Sequence, residues 1–296
     1  MSSQSQTPPN GLPFAFGAYL IWGMMPLYIK PLAGISAFEV LAHRILWSLP
    51  VALGFVWLMK QVGEYRAVLT HPRSLLTMLA SSVLISINWS VYMWAIMHNQ
   101  VLSTSLGYYL NPLVNVLLGR LVLKEQLNRW QAAAVVVAAT GVGILLFEEP
   151  GAIWISITLA LSFGTYGLVR KMAPVSAVSG LAVEVTLLAP IAAGALALGL
   201  ASGDGFGSSP QISLLLMGSG LMTAIPLLLF ATAARRMSYT ALGFVQYLAP
   251  TIVFFLSVFL WKEPLYPAKL LCFACIWAAI AIFSGDAIRR ARQHSA

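Results

Sequence analysis

The sequence predicts an all-α integral membrane protein with ten transmembrane helices arranged as two inverted five-helix repeats. Three observations carry that expectation. Of the 296 residues, 59% are hydrophobic and only 9% charged, with a mean hydropathy of +0.83, whereas an ordinary soluble domain carries about 25% charged residues. The apolar residues gather into ten runs, and a helix needs roughly 20 residues to cross about 30 Å of hydrocarbon. A 19-residue stretch also occurs twice: Tyr109 to Leu127 (YLNPLVNVLLGRLVLKEQL) and Tyr247 to Leu265 (YLAPTIVFFLSVFLWKEPL) share seven identities, including the closing Lys-Glu-x-Leu.

The first run, Leu12 to Ile29, follows a leader without Lys or Arg and precedes no small-residue cleavage site, so it reads as a retained helix rather than a signal peptide. Ala37 to Met59 comes next and carries Arg44. Leu75 to Met97 and Val101 to Leu118 are parted only by His98, Asn99 and Gln100, which implies a tight turn. Arg129 to Phe147 closes the first repeat, residues 1–147 with the N-terminal tail. An acidic linker, Glu148 to Gly151, leads into the second repeat, residues 152–296 with a basic tail. Its runs are Ala152 to Val169, Ser176 to Leu200 with Glu184, Gln211 to Ala234, Tyr239 to Trp261 and Pro267 to Ile288. Helices satisfy their own backbone inside lipid. Barrel strands are about ten residues of alternating polarity, which these runs are not.

Orientation follows from the cations. With the runs numbered in order, one side of the membrane receives Lys60, Arg66, Arg73, Arg120, Lys124, Arg129, Arg170, Lys171, Arg235, Arg236, Arg289, Arg290 and Arg292. The other side receives Lys30, Lys262 and Lys269. The richer side is expected to be cytoplasmic, with both termini inside. The formal net charge of +8 is scattered between apolar runs rather than along one face, which argues against nucleic-acid binding. Five runs per repeat force the second copy to enter the membrane upside down, and inverted repeats supply the exchange of shapes that alternating access needs.

Glu39 to Ser48 (EVLAHRILWS), Leu106 to Asn115 (LGYYLNPLVN) and Tyr166 to Lys171 (YGLVRK) resemble the RarD branch of the EamA-type drug/metabolite transporters. The resemblance extends from about Phe14 to Ile288. It implies ten helices in two inverted repeats, a bacterial inner membrane, and export of small metabolites or drugs.

Charges within the runs are the leading site candidates, because a lone ionised group at mid-bilayer costs roughly 2.5–3.5 kcal/mol on insertion scales. Aligning Leu41 to Gly54 (LAHRILWSLPVALG) with Leu181 to Gly194 (LAVEVTLLAPIAAG) sets Arg44 against Glu184 and Pro50 against Pro190. Three roles are open to this couple: a direct structural ion pair, a substrate clamp with a carboxylate on Arg44 and an amine on Glu184, or proton carriage by Glu184 for antiport. Polar residues at helical spacing extend the candidate substrate site: Asn88 with Tyr92, then Tyr108, Asn111 and Asn115, and Gln246 in the matching run of the second repeat. Each of these amides has interhelical hydrogen bonding as its structural alternative. Pro26, Pro112, Pro226 and Pro250 lie inside runs and interrupt the hydrogen-bond ladder.

Other apparent motifs carry less. Cys272 and Cys275 have CxxC spacing within an apolar run without further ligands, which points to small-residue packing rather than a metal or redox centre. Gly141 and Gly143 belong to no phosphate loop and are expected at a close helix contact. His43 is expected to pack. No Walker sequence is present, so neither ATP nor any other cofactor is expected. A secondary transporter of small organic solutes is the leading reading. A membrane-embedded enzyme acting on a lipid-like substrate is the alternative, for which Arg44 and Glu184 make a sparse catalytic set.

Overall fold

A computed structural model of the chain describes residues 10–98, 100–148, 153–198, 205–262 and 266–295. Every regular element among them is helical. In order these are α1 (Leu12–Ile29), α2 (Ala37–Leu58), α3 (Val62–Thr70), α4 (Pro72–Met97), α5 (Val101–Leu121), α6 (Arg129–Glu148), α7 (Ile153–Met172), α8 (Ala177–Ala197), α9 (Pro210–Arg236), α10 (Tyr239–Gln246), α11 (Leu248–Phe255) and α12 (Pro267–Ser295). Among the described residues nine helical segments are long and apolar enough to cross a membrane, α10 and α11 counting together as Tyr239–Leu260. The one remaining run, the fourth in sequence order, is α5. It is long enough, at 21 residues, but Thr104, Ser105, Asn111, Asn115 and Arg120 make it more polar than the others. The linker residues Glu149, Pro150 and Gly151 lie outside the described residues, as do Glu263 and Leu265 of the second repeat copy.

The chain forms two compact units, each drawing on both sequence halves: Met1–Val83 with Tyr166–Ser238, and Leu84–Thr165 with Tyr239–Ala296. In the first unit α2 packs on α8 and α9, α1 on α9, and α3 on α8. Lipid removes most of the hydrophobic drive between helices, so close packing and interhelical hydrogen bonds must hold them. The α2–α9 crossing shows both devices. A β-carbon on Gly220 would stand 2.3–2.7 Å from the backbone of Trp47 and Ser48, and Ser48 Oγ donates to Gly220 O at 3.1 Å. The basic residues at the helix ends are also used internally. Lys171 at the end of α7 donates to the carbonyls of Ala234 and Met237 at 2.7 Å, while Arg235 at the end of α9 donates to those of Ala173, at 2.8 Å, and Val175. Each cation thereby meets carbonyls that the helical ladder leaves open.

In the second unit α5 packs on α10 and α6 on α12. Its core gathers Tyr109, Phe244, Tyr247, Phe254 and Phe273. The α6–α12 crossing passes over Gly141, where a β-carbon would meet Cys275 Cβ at 2.6 Å and Cys272 O at 3.0 Å. Two expectations from the sequence thus meet at one contact: the cysteines pack as small residues, and Gly141 is the glycine that admits them. Gly143 has open space beside it.

A short helix, α3, lies between the second and third runs, where the sequence marked no element. The ninth run, in which Pro250 was expected to interrupt the ladder, breaks at Tyr247 and ends in a π turn over Leu256–Leu260. Pro250 is the physical reason for the break, since its ring lacks an N–H and clashes with the carbonyl four residues back, that of Gln246. Pro112 at the matching position of the first repeat sits inside unbroken α5. The two copies still share one unusual backbone feature: Lys124 and Lys262, equivalent in the repeat, have φ of +56° and +53°, a left-handed conformation uncommon outside glycine.

Candidate functional site

Glu184 is engaged from three sides. It sits two turns into α8 and is buried. Its Oε1 accepts from Ser81 Oγ on α4, and its Oε2 accepts from Tyr166 Oη on α7 at 3.3 Å. The cation beside it is Arg170, whose Nε lies 3.6 Å from Oε1. Arg170 is itself only 1% exposed. Its Nη2 donates to Ala177 O at 2.9 Å and Nη1 reaches Met78 Sδ at 3.3 Å. The guanidinium can lie there because residue 180 is glycine: a β-carbon on Gly180 would fall 1.8 Å from Nη1.

This arrangement corrects the sequence reading in one respect: Arg170, counted with Lys171 among the cations between runs, is a buried partner. Of the three roles left open for Arg44 and Glu184 the direct pair is the one in question, and the structure gives Glu184 a different cation, Arg170. Arg44, half-buried on α2, donates Nε to Thr223 Oγ1 on α9 at 3.0 Å. The two aligned charges are therefore each bonded to a hydroxyl on the third run of the opposite half, Ser81 on α4 for Glu184 and Thr223 on α9 for Arg44.

A second correspondence runs through the ends of these helices. Glu39 at the start of α2 accepts through Oε1 from the backbone N–H groups of Gly205 and Phe206, at 3.0 and 3.1 Å, in the segment before α9. Glu64 on α3 accepts from Ser176 N and Ser179 Oγ at the start of α8, each at 2.8 Å. Burial alone would push the Glu64 carboxyl up, but the Ser176 and Ser179 donors and the nearby Arg235 cation together hold it below its ordinary value. His43 packs its ring on Phe206, with centroids 4.9 Å apart, while its Nδ1 is buried without a hydrogen-bond partner.

The other candidates fall in the second unit. Asn88 donates to Leu159 O at 2.9 Å and to Ser162 Oγ at 3.1 Å, joining α4 to α7. Its amide is spent on interhelical bonding, the structural alternative. Tyr92 and Tyr108 come together with centroids 6.0 Å apart, and Tyr108 is 41% exposed. Asn115 Nδ2 donates to Gln246 Oε1 at 2.8 Å, so the structure brings together polar residues from matching runs of the two repeats. Asn111 is buried and its Oδ1 has no hydrogen-bond partner.

Comparison with known proteins gives these features a family. An EamA-like transporter family model matches residues 9–147. The chain is 42% identical over 287 residues to an uncharacterized transporter of Pseudomonas aeruginosa, with 96% of each chain covered. It is 38% identical over 288 residues to the protein RarD of Escherichia coli, with 97% of each covered. The chain belongs to the EamA-like transporter family. Within it the RarD relatives place it in the RarD branch, and it is a membrane transporter. A solved crystal structure at 20% identity has the same fold, with a TM-score of 0.70 over 93% of this chain and 98% of the other.

Against that family assignment, the residues that sequence reasoning missed are Arg170, Ser81, Tyr166 and Thr223. Gly180 was the one signal for Arg170, since a glycine one turn before a lone buried acid leaves room for a flat cation. The hydroxyls carry no such signal, because serine and threonine occur throughout these runs.

Proposed function

We propose that this EamA-family member is a secondary transporter that exports small organic metabolites or drugs by alternating access, set in the bacterial inner membrane with both termini cytoplasmic. Its ten runs act as two inverted repeats, residues 1–147 and 152–296, joined by 148–151. The observation that carries this reading is the matched treatment of Arg44 and Glu184, each bonded to a hydroxyl of the corresponding run in the other half. The shared left-handed backbone at Lys124 and Lys262 supports the same repeat.

In the first unit Arg44 supplies a fork for an anionic group of the solute, and Glu184 is the proton-coupling group. A carboxyl that keeps or loses its cation as helices move is suited to taking up a proton and releasing it. In the second unit Asn111, Tyr108, Tyr92 and Gln246 offer amide and aromatic contacts to the solute, while Asn88 holds α4 to α7.

Reconstituted vesicles given a panel of labelled metabolites, with and without a pH gradient, test the reading. Counterflow of at least one solute is expected, with gradient-driven flux lost in Glu184→Gln. Absence of flux across a broad panel sinks the transporter assignment of substrate class. Undiminished driven flux in the variant removes Glu184 from coupling.

A further inference from the structure

The second unit carries an arginine cluster that transport does not explain. It lies where α6 begins and α12 ends. Asn128 and Gln131 cap α6 reciprocally: Asn128 Oδ1 accepts from Gln131 N at 2.8 Å, and Asn128 N donates to Gln131 Oε1 at 3.2 Å. Asn128 Nδ2 also donates to Asp286 Oδ2 at 2.5 Å. Asp286 is buried and pairs with Arg289 at 3.4 Å and Arg290 at 3.1 Å. This one carboxylate fastens the corner and orients two of its cations.

Arg129 and Arg292 add two further cations to this corner beyond the two that Asp286 pairs. The guanidinium carbons of Arg129 and Arg289 lie 5.7 and 5.6 Å from the Trp130 ring, within cation–π range. Beside them opens a cleft of about 390 Å³ lined by Gly285, Ile288, Arg289, Arg292 and Gln293. Trp130 and Ile288 are 42% and 56% exposed.

Depth identifies the occupant. The apolar spans are Arg129–Phe147 and Pro267–Arg290, so the cluster sits at the end of both. That is the level of lipid phosphates, where tryptophan is enriched and basic clefts between helices take anionic headgroups. A guanidinium matches a phosphate bidentately, and the exposed indole and isoleucine offer an apolar wall below it. We propose that Arg129 and Arg289 over Trp130, with Arg292 in the cleft that Arg289 also lines, bind the phosphate of an anionic phospholipid whose acyl chain runs along Ile288.

The test uses the full-length protein in neutral phosphatidylcholine nanodiscs, titrated with phosphatidylglycerol and read by native mass spectrometry. Arg129→Gln with Arg292→Gln should weaken phosphatidylglycerol binding about thirtyfold, from roughly fivefold for each arginine at the surface. Arg289 is left in place because Asp286 depends on it. Lys60→Gln with Arg66→Gln, which removes exposed cations of the first unit, should change binding less than threefold on the same scale. Equal weakening by both pairs would mean general surface attraction and overturn the site, as would no weakening by the first pair. Inorganic phosphate should not displace bound phosphatidylglycerol from the protein; full displacement would show a free-anion site instead. Unfolding temperatures in neutral lipid verify that each variant folds. If the double variant does not, Arg292→Gln alone, at an exposed position, should weaken binding about fivefold, and wild-type binding would refute the proposal.

Discussion

Arg170 lies flat across Gly180, its Nη1 only 1.8 Å from the point where a β-carbon would be built on that residue, and from there it reaches Glu184 one turn along α8. The ion pair at the heart of the first unit thus depends on a missing side chain. Gly180→Ala should displace the guanidinium and leave Glu184 buried without its cation. Losing one side of a buried pair costs about 3–5 kcal/mol, so a large fall in thermal unfolding temperature in detergent is expected. An unchanged unfolding temperature would show that Arg170 has another equally good place to lie.

Glu184→Gln tests the pair from the other side. The variant strands Arg170, which is buried among Met78, Ser176 and Ala177. It should be destabilised by about 3 kcal/mol or more, and Arg170→Met in the same chain should restore most of that loss, as apolar replacements of buried ion pairs often do. If the second substitution adds its own full cost instead, the two residues do not act as a pair.

At the α6–α12 crossing, Gly141→Leu should separate the helices, because even a β-carbon would stand 2.6 Å from Cys275 Cβ. Overpacking of this kind costs typically 1–3 kcal/mol. Gly143→Leu, with open space beside it, should leave thermal stability unchanged. Equal effects at the two glycines would contradict the packing described.

Glu125 of the first Lys-Glu motif accepts from Tyr239 N at 2.6 Å and Thr240 N at 2.9 Å, capping the start of α10. Glu125→Ala should cost about 1 kcal/mol, the usual loss for a helix cap, and Glu125→Gln should cost less. Faster amide hydrogen exchange over Tyr239 to Gly243 is the measurement, and unaltered exchange would remove the cap.

Glu64 gives a pH dependence with a definite sign. Its carboxyl is held below the ordinary value of 4.5, so its contribution to stability is complete above that value and is lost as the pH falls through the lowered one. Wild-type unfolding temperature should decline below about pH 4.5 more steeply than that of Glu64→Gln. Parallel curves would mean that α3 docks on α8 without help from this carboxylate.

The apolar runs were legible because hydropathy alone marks a span, and nine of the ten pass that measure among the described residues. α3 was not, since Val62–Thr70 is short and mixes Glu64 and Arg66 with apolar residues; its order comes from Glu64 meeting α8. Pro250 hinted at the break in the ninth run, but Pro112 stands at the matching position in an unbroken helix, so a proline alone does not decide. Arg44 and Glu184 stood out as charges in apolar runs. Their partners did not, because Arg170 sits beside Lys171 and only tertiary contact with Met78 and Gly180 distinguishes a buried cation from a loop one. Asn115 and Gln246 stood out as polar residues in matching runs of the two repeats, and they meet.

The interleaving of the two units has a consequence for synthesis. α1 packs on α9, so the N-terminal helix has no permanent neighbour on that face until about 200 further residues have left the ribosome, roughly 10–40 seconds of elongation. During that interval Gly11 and Gly17, which later seat against Ala233 and Leu229, face lipid or an insertion chaperone. A chain cut in the 148–151 segment would yield two fragments, neither of which holds all of either unit, so each should be degraded when made alone and rescued when the two are made together.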